Sequence, residues 1–113
     1  MPLQKLLDSM RSLRGVDSVV LLDSEGEVIL SSGGSDRDRL RVVGAYQGIL
    51  LTSLGRLGLV NSRTLCTIYR DRAVLTRPLK DGYFICVVFS PDLNFAYVQF
   101  FFEETYSRLE AEL

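Results

Sequence analysis

The sequence predicts an α/β fold of element order αββαβββα: a five-stranded antiparallel sheet in the strand order 2-1-5-4-3, with helices on both faces. Three observations predict it. Residues 19–22 ("VVLL") and 83–88 ("YFICVV") are apolar throughout, the pattern of strands covered above and below. Consecutive apolar runs are separated by short turns, which forces antiparallel pairing between neighbours. Three other stretches repeat their apolar residues at helical spacing. With 113 residues, 47% hydrophobic and 24% charged, the chain has material for one domain, 1–113, with one core.

Leu3, Leu6, Leu7, Met10 and Leu13 share a helical face, so residues 3–14 form the first helix, with Pro2 tolerated at its start and Gly15 as its stop. "GVDSVVLLDSEGEVILSS" reads as a hairpin that turns at Asp23-Ser24-Glu25-Gly26. "SGGSDRD" breaks the chain and offers Ser35 or Asp36 to cap a long helix over about 37–58. Three strands follow in a meander, "RTLCTIYR", "AVLTRPL" and "YFICVVFS", turning at Asp71, at "KDG" and at "SPDLN". The strand at 27–32 alternates into serines and the strand at 63–70 begins and ends with arginine, so both suit edges. Pro78 fits only where its missing N–H faces no partner. A last helix over about 93–111 buries Phe95, Val98, Phe102, Leu109 and Leu113 on one stripe.

The central helix is unusual. "GAYQGILLTSLGRLG", residues 44–58, holds four of the chain's nine glycines, each costing a helix about 1 kcal/mol relative to alanine. At about 100° per residue, Leu40, Val43, Gln47, Leu50, Leu51, Leu54 and Leu57 share the face that packs on the sheet. Val42, Tyr46, Ile49 and Ser53 form a lesser apolar stripe opposite. Gly44, Gly48, Thr52 and Gly55 run along one flank. That flank admits either a bulky side chain from the protein's own sheet or the backbone of a helix from another chain. The edge strand 63–70 raises a parallel choice. Its apolar middle, Leu65 to Tyr69, either pairs with its own copy across a two-fold or stays solvated behind Arg63 and Arg70.

Composition excludes several functions. The formal charge of −1 gives no general attraction to nucleic acid or to an anionic membrane. The longest apolar-leaning run, 42–55, is shorter than the roughly 20 residues of a membrane span. Met1 leads into a charged amphipathic segment rather than a signal peptide, which reads as a cytoplasmic chain. Without histidine a serine–histidine triad is impossible. Cys66 and Cys86 match no zinc spacing and read as buried small apolar residues. Lying two strands apart, they cannot form a disulfide. No G-x-x-x-x-G-K-[ST] loop is present, so the chain is not itself a P-loop GTPase. Glu103 and Glu104 read as a solvated helix face. The expectation is a chain without an autonomous active site, a metal or a cofactor.

The hairpin "GVDSVVLLDSEGEVILSS", the glycine-bearing helix, "LTRPLKDGYFICVVFSPDLN" and the last helix, in that order, resemble the roadblock/dynein-light-chain family over essentially the whole chain. That resemblance implies a homodimer, or a heterodimer with a related roadblock chain, that serves a small Ras-like GTPase. Its prokaryotic members activate a GTPase of cell polarity or motility; its eukaryotic relatives are dynein light chains and lysosomal scaffolds. With the resemblance, the glycine flank and the edge strand (Gly44, Gly48, Thr52, Gly55, Leu65, Thr67 and Tyr69) become the expected dimer interface. Val42, Tyr46, Ile49 and Ser53, rimmed by Arg37, Arg41 and Arg56, become the expected GTPase-binding surface. An arginine finger would have to come from the loop that carries Arg37, Arg39 and Arg41. Two other readings stay open: a dimeric scaffold without effect on hydrolysis, and a small-ligand sensor, which would need a polar-lined pocket that these apolar strands offer little to build.

Overall fold

A computed structural model of the chain describes residues 2–34, 47, 49 and 64–113. It is built around five strands: β1 (Val16–Leu22), β2 (Val28–Gly33), β3 (Leu65–Ile68), β4 (Ala73–Pro78) and β5 (Phe84–Phe89). Two helices are described in full, α1 (Pro2–Arg11) and α2 (Phe95–Glu112). The strands form one sheet in the order β2-β1-β5-β4-β3, every neighbouring pair antiparallel. This is the predicted order, with β2 and β3 at the edges.

Local chemistry sets each turn. In the β1–β2 hairpin the Asp23 carboxylate accepts from the backbone N–H of Glu25 (2.9 Å) and of Glu27 (3.0 Å). Gly26 takes φ +83° beside it, a conformation a side chain would strain. Between β4 and β5 the chain reverses through a 3-10 turn, Lys80–Gly82, with both Asp81 and Gly82 at positive φ. Asn94 caps α2, its side-chain oxygen accepting from the Tyr97 N–H at 3.2 Å. Pro78 sits at the last rung of the β4–β5 ladder, opposite Phe84, where a missing donor costs least.

Alternation along the strands builds two separate apolar layers. Val19, Leu21, Leu75, Ile85, Val87 and Phe89 point to the face covered by Leu7 and Met10 of α1 and by Val98, Phe102, Tyr106 and Leu109 of α2. Each fully buried side chain of this kind contributes about 1.5–3 kcal/mol. Val20, Leu22, Val74, Phe84, Cys86 and Val88 point to the opposite face and are buried as well. Gln47 and Ile49, both helical, belong to the element above that second layer.

The boundaries differ from the sequence reading in small ways. The first helix ends at Arg11, not 14, because Ser12 to Gly15 form turns that lead Val16 into the sheet. β3 is four residues long, its ladder confined to the stretch opposite Ala73 to Thr76. On α2, Phe95 and Leu113 are only partly buried, and Tyr106 takes the place in the core that the sequence reading left unfilled. Cys86 is buried, but Cys66 is only half-buried, because it stands on the edge strand. The two thiols are free and point to opposite layers of the sheet.

Candidate protein-binding surface

The second face of the sheet carries a polar cluster inside its apolar layer. Gln47 is completely buried. Its Oε1 accepts from the hydroxyls of Thr67 and Thr76, each at 3.2 Å, and its Nε2 donates to the Tyr69 hydroxyl at 3.2 Å. Thr67 and Tyr69 are reached by alternation along the edge strand, whereas Thr76 lies one strand further in and is completely buried. The Thr76 hydroxyl also lies 3.5 Å from Cys86 Sγ. One glutamine therefore ties a central helical segment to both β3 and β4. A buried amide of this kind is stable only when its polar atoms are matched, and here both ends of the amide have partners.

Two residues further on, Ile49 is 64% exposed. Two residues of helix turn about 200°, so the inward glutamine and the outward isoleucine lie on nearly opposite sides. This agrees with the two stripes read from the sequence at the two positions where they can be compared. Arg37, Arg41, Val42, Gly44, Tyr46, Gly48, Thr52, Ser53, Gly55 and Arg56 lie outside the described residues.

The three edge-strand residues are described. Leu65 and Thr67 are half-buried, and Tyr69 is 36% exposed. All three lie on the Gln47 side of the sheet by register with Thr76 and Val74. Ile68, on the other side of the same strand, is 73% exposed. β3 has β4 on one side and no described strand on the other, so its outer N–H and C=O groups form an apolar-flanked edge.

Titratable groups are perturbed in ways that follow from packing. Burial pushes the Cys86 thiol up to about 12, with the Thr76 hydroxyl opposing the shift. Burial also raises the Cys66 thiol. The Tyr106 hydroxyl is raised mainly by burial; the Arg77 guanidinium lies 4.5 Å from its ring centre and is held there by paired 3.3 Å bonds to Glu103. Among the described residues no three histidine, cysteine, aspartate or glutamate side chains gather where a metal could be held.

The polar cluster was not visible in the sequence. Gln47 fell on the sheet-facing stripe, but its partners lie 20 to 29 residues away. The second face carries more polar side chains than the apolar runs of the strands suggest. Ser18, Thr67 and Thr76 stand on the second face, Ser18 and Thr76 fully buried, because hydroxyls at alternate strand positions look like edge or solvent residues until a partner is placed over them.

The sheet order, the two covered faces and the apolar edge together define a class: the chain has the roadblock/LC7 fold. It superposes on Myxococcus xanthus MglB with a TM-score of 0.83 over 97% of this chain and 93% of that one, at 12% identity. A roadblock/LC7 domain from Streptomyces avermitilis matches with a TM-score of 0.75 over 99% and 94%, at 18% identity. Myxococcus xanthus MglC matches with a TM-score of 0.71 over the full length of both chains, at 18% identity. No family model matches the sequence, and no curated protein is significantly similar to it. The likeness is therefore one of fold.

Proposed function

We propose that the chain is a dimeric regulatory partner of a small Ras-like GTPase, positioning or stimulating it for GTP hydrolysis in a polarity, motility or signalling switch. The observation that carries this reading is the pairing of a fully buried Gln47 with a largely exposed Ile49 on one helical segment, beside the edge of β3 that has no neighbour among the described strands. An apolar outer stripe on a core helix marks a protein-binding face. The roadblock/LC7 fold supports it, through the GTPase service that the family resemblance implies. In this reading the edge strand (Leu65, Thr67, Tyr69) and the glycine flank (Gly44, Gly48, Thr52, Gly55) join two copies. The paired outer stripes of Val42, Tyr46, Ile49 and Ser53, rimmed by Arg37, Arg41 and Arg56, then seat one GTPase on the two-fold axis.

Calorimetric titration of the cognate Ras-like GTPase, loaded with a non-hydrolysable GTP analogue, tests the reading. Ile49→Asp should weaken binding by about 2 kcal/mol or more, as for a hot-spot residue, and leave the dimer mass unchanged. Equal affinity in wild type and variant would refute the surface. Phosphate release separates an activator from a scaffold: a scaffold binds and leaves turnover unchanged. Arg37→Ala and Arg41→Ala at saturating dimer then ask whether an arginine acts on the nucleotide. Unchanged turnover assigns the effect to positioning of the GTPase's own groups.

A further inference from the structure

α2 has a second apolar face. Opposite its core stripe, Tyr97, Phe100 and Phe101 are 51%, 82% and 48% exposed. They form an ordered ridge: the Tyr97 and Phe101 rings stand 6.2 Å apart, and Phe101 meets the buried Phe102 edge-on at 5.4 Å. The same helical flank continues through Glu104, Arg108 and Ala111, at spacings of seven, eleven and fourteen residues from Tyr97. At its far end a groove of about 440 Å³ opens between α1 and α2. Lys5, Leu6 and Ser9 line one wall; Arg108, Ala111 and Glu112 line the other.

We infer that this flank joins two copies of the chain, the aromatic ridge of each seated in the α1–α2 groove of the other. Ridge and groove lie about 15 Å apart on one helix (1.5 Å per residue). A two-fold axis near Glu104 that sets two α2 helices antiparallel therefore lays each ridge on the opposite groove at once, as a self-complementary interface requires. Lys5 at the groove, and Arg108, which is ion-paired to Glu104 at 3.2 Å on the same helix, place cations where the incoming ring faces would lie. Area selects a second copy over a one-sided partner. Taking about 200 Å² for each aromatic side chain, the ridge exposes about 360 Å², within the range of patches that commonly serve binding. Two ridges, each covering an equal area of groove, bury about 1,400 Å² in total, inside the range of stable interfaces. A partner that met the ridge alone would bury about half of that and fall below the range. The contact lies on the α1/α2 face of the sheet, away from Gln47, and so does not depend on the function proposed above.

Sedimentation velocity from micromolar to submillimolar concentration tests the inference, with far-UV circular dichroism confirming the fold of each variant. Phe100→Ser removes the ridge's most exposed ring, and Ala111→Trp fills the groove. Each should halve the number of chains in the largest species: from four to two if the edge-strand dimer also forms, from two to one if it does not. A largest species unchanged in Phe100→Ser overturns the inference. Halving by Phe100→Ser but not by Ala111→Trp overturns the ridge-in-groove contact in favour of ridge against ridge. Flotation with vesicles of phosphatidylcholine and phosphatidylglycerol covers the other occupant. Vesicle binding lost in Phe100→Ser, with masses equal throughout, would make the ridge a membrane contact and overturn self-association.

Discussion

Replacing Gln47 by leucine keeps the side chain's approximate volume and removes all of its polar atoms. Three hydrogen bonds disappear, to Thr67, Thr76 and Tyr69, but their costs differ. Tyr69 is 36% exposed and Thr67 is half-buried, so both hydroxyls can turn to water, and each lost bond costs near the lower end of about 0.5–1.5 kcal/mol. Thr76 is fully buried and keeps only the weak contact to Cys86 Sγ at 3.5 Å, so its unmatched hydroxyl costs about 1–3 kcal/mol. Burying leucine in place of an amide offsets part of the loss. The net expectation is a destabilisation of about 2–3 kcal/mol. With a urea slope of about 1–3 kcal/mol per molar, the midpoint falls by about 0.7–3 M at fixed protein concentration. Thr76→Val in the same background supplies the internal control. With both partners apolar, no buried hydroxyl is left unmatched, and the double variant should be more stable than the sum of the single losses by about 1–2 kcal/mol. Strict additivity, or a loss below about 0.5 kcal/mol for Gln47→Leu, would refute the claim that Gln47 matches a buried donor.

Gly33→Ala should destabilise by more than the usual glycine substitution: φ is +77° there, and a Cβ would lie 2.5 Å from the Asp17 carbonyl oxygen. We expect about 2 kcal/mol or more in urea denaturation, from strain and clash together. The Asp8 carboxyl is held below its ordinary value of 3.8, chiefly by the Ser32 hydroxyl (2.6 Å) and next by the Gln4 amide (3.0 Å). A depressed folded-state value means the contribution is complete above the ordinary value and disappears as pH falls through the lowered one. Asp8→Asn should therefore be less stable than wild type at neutral pH, and the difference should shrink as the titration is carried below about pH 4. Of the two thiols, Cys66 should react first with a disulfide reagent in the native state, and Cys86, fully buried with its thiol at about 12, only on unfolding. Cys66→Ser should abolish the native-state phase.

Most of the fold was legible because its signals are local. Val19 to Leu22 and Phe84 to Val88 are apolar on both faces, and only strands at the middle of a covered sheet require that. Asp23 to Gly26 carries the turn chemistry that the hairpin uses, and the serines of β2 and the arginines around β3 mark the two edges. Tyr106 escaped because a phenol at a helical core position looks amphipathic; it packs in the apolar layer, and Arg77, stacked on its ring and bonded to Glu103, lies 29 residues earlier on β4. The exposed rings of α2 escaped for the opposite reason. Tyr97, Phe100 and Phe101 are interleaved with core residues, and periodicity alone does not say which of two apolar faces meets the sheet. For the binding surface, the apolar middle of the edge strand, Leu65 to Tyr69, was readable, while the hydrogen bonds that fix Thr67 and Tyr69 to Gln47 were not.

The two faces of the sheet are held by different physics, and this bears on which of them suits regulated binding. On the α1/α2 side the layer is almost wholly apolar, and such contacts constrain volume more than register. On the other side Gln47 bonds one residue in the interior of the sheet and two on its edge, so the helical segment that carries Ile49 cannot slide along the sheet without leaving the buried Thr76 hydroxyl unmatched. Directional bonds of this kind specify one arrangement where apolar packing alone tolerates several. The outward position of Ile49 and the edge-strand positions of Thr67 and Tyr69 are thus fixed relative to one another by a single side chain. A binding surface composed from both elements needs that rigidity, because ordering them at the moment of association would subtract from its affinity. Gln47→Leu should accordingly weaken any assembly made through β3 and the Ile49 face, measured as dissociation on dilution, even under conditions where the monomer remains folded. Dissociation identical to wild type would mean that the two elements are positioned independently of Gln47.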